Sequence, residues 1–311
     1  MQQPTISFMI STFNKVDYLK LVLTDLINNI QADEEIVVVD GGSTDGSVEF
    51  LQNLADRQLI HAFISEKDSG EGHGFNKAIL LSKGKIVTFL TDDDAFNYEG
   101  LRVCKAFMLE HPKLDFLFTG GADYQFQLTN TINYFTPVYE EWVKEYALSS
   151  KAFSFCMLGS MMNKSSLPLL GLINPTIRRA DAEFSLRITF SKIKIAFYPP
   201  PCYVRILNNN SNSAVFSKKI KEETEMLNAL YGVYLDGPPP QLEQTTFLKH
   251  IKNIIRPLYR TVFPVTLVSN TGNSTENSTF HPFPYIEAYA YAKEWLKKKY
   301  HLESDKFISN L

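Results

Sequence analysis

Three consecutive aspartates, Asp92, Asp93 and Asp94, follow the apolar run "KIVTFL" in this 311-residue chain. Carboxylates set side by side repel one another, and leaving water raises the cost. A hard divalent cation offsets that repulsion. Mg²⁺ and Mn²⁺ use one or two protein carboxylates and complete their shells with water and substrate phosphates. A cation held this way would neutralise the charge on a departing diphosphate. Taken alone, "TDDD" also reads as a solvated turn that caps the following helix.

Other segments carry compatible chemistry. "VVVDGGSTDGS" ends a strand at Asp40, where a carboxylate could accept hydrogen bonds from a base or ribose. Its glycines let a ligand approach the backbone, while Asp45 and Ser47 equally suit helix caps. "SEKDSGEGHGFNKA" offers Asp68, His73, Asn76 and Lys77. Lys77 suits a phosphate, or simply a solvated helix surface. "ISTFN" leaves Thr12, Phe13 and Asn14 just beyond the first apolar run.

The elements that must position these residues alternate. "TISFMIS" predicts a strand, and "NKVDYLKLVLTDLINNI" a helix with Leu19, Leu23, Leu26, Ile27 and Ile30 at helical spacing and Asn14 as its N-cap. "EEIVVVD", "LIHAFIS", "KIVTFL" and "LDFLFTGG" predict four more strands, with helices at "VEFLQNLA", "FNKAILLSK" and "YEGLRVCKAFMLEH" between them. Strands apolar on both faces imply a mostly parallel sheet covered by helices on both sides. Right-handed crossovers place the carboxyl ends of parallel strands on one edge, where open α/β sheets bind ligands. Every segment named above falls on that edge.

Beyond about residue 125 the alternation weakens. "PVYEEWVKEYALSS" and "RRADAEFSLRITFSK" predict helices, "FSFCMLGSMMN" a buried strand and "IKIAFYPPPCYVRIL" a strand pair. "KKIKEETEMLNALYGVYL" and "YIEAYAYAKEWLKKKY" predict later helices, separated by the rigid break "DGPPPQ". The expected organisation is a catalytic domain over residues 1–210 and a mainly helical C-terminal extension over 211–311.

Composition bounds the function. Hydrophobic residues make up 44% and charged residues 21%, so the chain can build a core. A net charge of −3 lacks the basic excess of a nucleic-acid surface. Cys104, Cys156 and Cys202 are far apart and without a CxxC, which predicts small buried side chains in a reducing compartment. "MQQPTISFMIS" lacks the pattern of a signal peptide, and no window matches a membrane span, so a cytoplasmic protein is expected. The sequons at Asn273 and Asn277 then need carry no glycan. "FLKHIKNIIRPLYRTVF" is basic and amphipathic. It suits peripheral membrane contact, or packing on the catalytic domain with its charges in water, and Pro257 interrupts its period.

The four segments "ISTFN", "VVVDGGSTDGS", "SEKDSGEGHGFNKAI" and "FLTDDDAFNYEGL" occur in an order and spacing that resembles family 2 glycosyltransferases, which have the GT-A fold. The resemblance is best over the first third of the chain and continues more weakly to near residue 205. It implies an inverting transfer of a sugar from a nucleotide-diphosphate donor, with UDP favoured by family frequency, to an acceptor hydroxyl on a glycan or lipid-linked acceptor. It carries nucleoside contacts onto Thr12, Phe13 and Asp40. Ribose and metal contacts fall on Asp92, Asp93 and Asp94, with Asp94 as the direct ligand of Mn²⁺ or Mg²⁺. An inverting transfer needs a base for the attacking hydroxyl. "RRADAEFSLRI" resembles the family's acidic segment, with Asp181 aligned best as that base and Glu183 in reserve. The same carboxylates could instead cap and line a helix. The chain departs from many relatives at His73, where they carry an aspartate, and near Gly159 and Ser160, where they carry a His-Gln pair. Two other readings use the same fold or ligands: a catalytically inactive nucleotide-sugar-binding module, and a sugar nucleotidyltransferase. The latter expects a glycine-rich basic loop after the first strand, where this chain has "STFNKVDY".

Overall fold

The structure, a computed structural model, describes residues 3–126, 129–207, 216–233, 235, 285–301 and 306–310. The basic amphipathic stretch at 247–263, the "DGPPPQ" break and both sequons lie outside these residues. Among the described residues no helix is long and apolar enough to cross a membrane.

The first half follows the alternation read from the sequence. Strands β1 (Ile6–Thr12), β2 (Glu34–Asp40), β3 (Ala62–Ser65) and β4 (Ile86–Thr91) are parallel and ordered β3-β2-β1-β4. Helices α1 (Val16–Asn29), α2 (Ser47–Asp56), α3 (Glu71–Leu81) and α4 (Tyr98–Glu110) connect or follow them. Successive strand residues point to opposite faces, and the core divides accordingly. Ile6, Phe8, Ile10, Ile36 and Val38 join one apolar cluster with α1, α2 and α4. Met9, Val37, Val39, Val87 and Phe89 join the other with α3. That two-sided burial is why these strands read as unbroken apolar runs.

The sheet continues as a mixed one. Strand β8 (Met161–Asn163) runs antiparallel between β4 and β6 (Phe116–Gln125), and β9 (Ile195–Ile206) lies parallel to β6. Short strands β5 (Ala95–Phe96) and β10 (Ile308–Ser309) pair with β9, and β7 (Thr131–Tyr134) with β6. Helices α5 (Thr136–Ser149) and α7 (Ala180–Phe190) cover the α3 face, and the short α6 (Leu167–Leu170) precedes α7.

Two expectations change here. "IKIAFYPPPCYVRIL" forms one strand rather than a pair. Its register against β6 shifts on either side of Gly120, which absorbs the proline run. A Cβ on Gly120 would stand 2.0 Å from the Pro199 carbonyl oxygen, so the close approach requires glycine. "FSFCMLGSMMN" is buried, but only its last three residues form a strand. Side chains satisfy its main chain instead: Phe153 N–H donates to Thr189 Oγ1 (3.2 Å), Phe155 N–H to Ser185 Oγ (3.2 Å) and Cys156 N–H to Tyr139 Oη (3.0 Å).

Helices α8 (Ser217–Tyr231) and α9 (Tyr285–Tyr300) occur where the sequence predicts them. Ala288, Tyr289, Ala292, Leu296 and Tyr300 of α9 join the cluster that holds α1 and α4. The described residues within Met1–Val233 and Phe283–Leu311 form one compact unit. The three cysteines are buried and free.

Candidate active site

The parallel register brings four strand ends to one rim. Thr12 pairs with Asp40, Asp40 with Ser65, and Ser11 with Thr91. The chain leaves β1 through buried Thr12 to Phe13, which is 57% exposed. Asn14 then turns with φ 52° rather than capping α1. Its N–H donates to Ser43 Oγ (2.7 Å) and its Oδ1 accepts from the Thr44 N–H (2.8 Å). The orphan N–H of Val16 is capped from another loop, by Asp45 Oδ2 at 2.8 Å.

Asp40 faces inward and is fully buried. Its Oδ2 accepts from the main chain of Gly42 and Ser43 (both 2.9 Å) and from Ser65 Oγ (2.6 Å), and the Ser43 hydroxyl donates to Oδ1. Asp40 thus sets the shape of the loop that follows it. Exposed Phe13 is the rim group with a free apolar face.

Beyond β3, Asp68 Oδ1 accepts the Gly70 N–H at 2.8 Å, and its carboxylate covers Gly41, 3.2 Å from where a Cβ would stand. Asn76 and Lys77 were expected at the donor. Asn76 is buried, and its amide meets the main chain of Ile173 both ways, donating at 2.7 Å and accepting at 2.8 Å. It fastens α3 to the segment before α7. Lys77 pairs with Glu66 at 2.9 Å.

All three aspartates after β4 are buried, at 4–7% exposure. They do not point alike. The Lys15 ammonium lies 3.2 Å from Asp92 Oδ1 and 2.6 Å from Asp93 Oδ2. Asp94 is turned into the fold, where Oδ2 accepts from Thr91 Oγ1 (2.5 Å) and Oδ1 from the Ile206 N–H (2.7 Å). Asp92 and Asp93 therefore face the Lys15 ammonium, while Asp94, which the resemblance makes the direct metal ligand, is engaged within the fold. The last residue of β9, which pairs with β5 just beyond the aspartates, supplies the N–H that holds Asp94 there. From α9, Tyr285 Oη donates to the Asp93 carbonyl at 2.5 Å, and its ring meets Tyr18 edge-on at 4.3 Å.

Charge at the loop follows from burial. Burial pushes the Asp92 carboxyl up to about 6, with Lys15 opposing and Asp93 adding to the rise. Burial, then Asp93, holds Asp94 well above the usual carboxylate range. Burial works against the Lys15 charge, but Asp92 and Asp93 outweigh it and hold the ammonium above the usual lysine range. Among the described residues no group of three or more His, Cys, Asp or Glu is arranged to hold an ion. What the loop does offer is a pair of oxygen donors that already embraces a cation, the Lys15 ammonium. A divalent ion fits that pair by charge and ligand type, with the rest of its shell coming from water and phosphate.

Helix α7 carries both candidate bases. Glu183 is buried and held by Arg187, with Nε donating to Oε1 at 2.8 Å. Asp181 is half-buried, and its Oδ1 accepts the Ala182 N–H at 2.8 Å. Glu223 of α8 accepts the N–H groups of Arg178 (3.0 Å) and Arg179 (2.8 Å), which fixes the approach to α7. Arg205 makes a two-pronged pair with Asp123, at 2.7 and 2.8 Å. Its charge acts on Asp94 and on the Cys156 thiol, which the Asp181 charge also reaches. The start of α7 packs beside the start of α3, where a Cβ on Gly72 would stand 3.7 Å from the Ala180 Cβ.

Lys15, Asp123, Arg205, Glu223 and Tyr285 are the site residues that motif reading passed over. Only Lys15, one residue beyond "ISTFN", had a local signal. Asp123 and Arg205 meet through the β6–β9 register, and Tyr285 reaches Asp93 across 192 residues.

Residues 7–161 match the family model described as Glycosyl transferase family 2. An uncharacterized glycosyltransferase of Haemophilus influenzae is 23% identical over 246 residues, covering 75% of this chain and 94% of that protein. The putative teichuronic acid biosynthesis glycosyltransferase TuaG of Bacillus subtilis is 30% identical over 119 residues, 38% of this chain and 47% of its own length. Among solved structures, S. aureus TarS 1-349 in complex with UDP-GlcNAc superposes with a TM-score of 0.55 at 16% identity, covering 84% of this chain and 76% of that one. The mannosyltransferase PcManGT from Pyrobaculum calidifontis, in complex with GDP-Man and Mn²⁺, gives a TM-score of 0.55 at 17% identity over 77% and 66% of the two chains. At these identities the likeness to the solved structures speaks for the fold.

Proposed function

We propose that this chain, which belongs to glycosyl transferase family 2 through residues 7–161 and has the GT-A type of α/β fold, transfers a sugar from a nucleotide-diphosphate donor to an acceptor hydroxyl with inversion at the anomeric carbon. The observation that carries the reading is the cation-holding pair Asp92–Asp93, set on the same rim as Phe13 and the Asp40 loop. UDP is the favoured nucleotide, supported by the UDP-GlcNAc complex of TarS, and the GDP-Man complex of PcManGT keeps GDP as the second candidate. The acceptor is a glycan or a lipid-linked glycan, in keeping with the teichuronic acid assignment of TuaG. The catalytic residues fall within 1–210, and the extension over 211–311 contributes helices that brace the cleft.

Each part of the cleft then has a task. Phe13 offers a face to the base, and the loop shaped by Asp40 borders the ribose. A divalent ion, Mn²⁺ or Mg²⁺, when bound, supplies positive charge beside the departing diphosphate; Asp92 and Asp93 would hold it. Asp181 takes the proton of the acceptor hydroxyl as its oxygen bonds to the anomeric carbon, and the bond from that carbon to the diphosphate oxygen breaks. Glu183, locked to Arg187, is the poorer candidate for that proton. A single direct attack inverts the centre.

The test is a thermal-shift panel of UDP, GDP and dTDP with and without Mn²⁺, followed by donor hydrolysis. A ligand that binds only the native state raises the melting temperature by mass action. A shift by one nucleotide, with slow hydrolysis of its sugar conjugates, is expected. No shift with any of them would overturn the reading, and a shift with no hydrolysis or transfer would leave an inactive binding module.

A further inference from the structure

We propose that Lys15 is a built-in counter-ion of the acidic loop, filling the cation position while no diphosphate is bound and yielding it only when metal and diphosphate arrive together. The proposal rests on the reading of Asp92 and Asp93 as the cation site.

The geometry supplies the argument. The Lys15 ammonium is within salt-bridge distance of both carboxylates at once, and the side chains are 19%, 5% and 9% exposed for Lys15, Asp92 and Asp93. A lysine in water would lose rotamer freedom for little gain, but here the pair it joins is removed from solvent. Its backbone is fixed as well. Asn14 is tied to Ser43 and Thr44 across the β1–β2 rim, and the next residue, Val16, is capped by Asp45. Each oxygen of the third aspartate already accepts a hydrogen bond, one from Thr91 and one from Ile206, so Asp92 and Asp93 are the pair turned to the ammonium.

A bare Mn²⁺ approaching this loop meets a positive charge already bound to the oxygens it needs. Two cations at one carboxylate pair repel, so the free ion competes with a tethered ammonium at high local concentration. A diphosphate changes the balance. It brings oxygen ligands for the metal and negative charge for the released ammonium. Metal and diphosphate then bind with positive coupling, and the coupling is reciprocal.

The experiment compares Mn²⁺ binding, followed by the electron-paramagnetic signal of the free ion, in the wild type, Lys15→Met, Lys15→Gln and Lys15→Arg, each with and without UDP. In the wild type, UDP should tighten Mn²⁺ binding roughly tenfold or more, because the competent site is rarely open without it. Either neutral variant should bind Mn²⁺ alone roughly tenfold more tightly than the wild type, with a much smaller response to UDP. Lys15→Arg should keep the wild-type pattern. Neutral variants that bind Mn²⁺ alone no better than the wild type overturn the proposal. So does a wild type whose Mn²⁺ affinity ignores UDP, a measurement that needs no variant to fold. Failure of the transferase reading shows separately, as absence of sugar transfer with the Mn²⁺ pattern intact.

Discussion

Asp94 Oδ1 accepts the main-chain N–H of Ile206 at 2.7 Å, which joins the acidic loop to the end of a strand 112 residues later. The bond pairs a buried carboxylate with the last residue of β9, beside the place where β5 pairs with the same strand. Asp94 therefore fixes the direction in which its two neighbours face.

For Asp94→Ala, stability should fall by about 1–3 kcal/mol, the cost of leaving the buried Ile206 N–H without its acceptor. Transfer should be lost through misdirection of Asp92 and Asp93. Denaturant unfolding beside steady-state assays checks this. An unchanged midpoint would mean that the bond to Ile206 holds nothing, and Asp94 would return as a candidate ligand.

Asp92 gives a pH dependence with a definite sign. Burial raises its carboxyl from the ordinary 3.8 to about 6. Between those values the folded state keeps a proton that the unfolded chain has released, so the associated stability is present at low pH and is lost as pH rises through about 6. Asp92→Asn removes this titration. The stability of the wild type relative to Asp92→Asn should decline from pH 4 to pH 7, measured by urea unfolding in metal-free buffer. A difference that stays flat over this range would show that Asp92 titrates normally.

Asp181 and Glu183 separate base from scaffold. Asp181→Asn should preserve nucleotide and Mn²⁺ binding while turnover falls about 10²–10⁴-fold, the usual scale of general-base catalysis. Glu183→Gln breaks the ion pair with Arg187 and should act mainly on stability. Calorimetry, turnover and product anomer by NMR distinguish them. A dead Glu183→Gln with an active Asp181→Asn would move the base to Glu183, and a retained anomer would remove the single-step mechanism.

Tyr285→Phe tests whether α9 belongs to the site. Loss of the hydroxyl leaves the buried Asp93 carbonyl without that donor, at a cost of about 0.5–1.5 kcal/mol. Because the bond holds the main chain of a cation-facing residue, Mn²⁺ affinity in the presence of UDP should weaken as well. Unaltered Mn²⁺ affinity with a lowered melting temperature would reduce Tyr285 to a packing residue.

The sequence by itself determined the parallel half of the fold and the rim. Runs such as "EEIVVVD" are apolar at every position because both faces of the strand are covered, and that strand is found at Glu34–Asp40 as read. Strand ends are local events, so the residues following them could be placed on one edge without coordinates. Their directions could not. Whether Asp40 faces a ligand or its own loop depends on Ser43 and Ser65, and which of three adjacent aspartates faces the cleft depends on an N–H donor 112 residues away. Residues 153–156 read as a strand because they are apolar, yet their backbone is satisfied by hydroxyls on α5 and α7, a choice that only packing makes. The Lys15 contact with Asp92 spans 77 residues and exists because β1 and β4 are neighbours in register. Composition and period act through nearest neighbours along the chain. The cleft is built from neighbours across the sheet, and those are fixed only when the whole sheet is assembled.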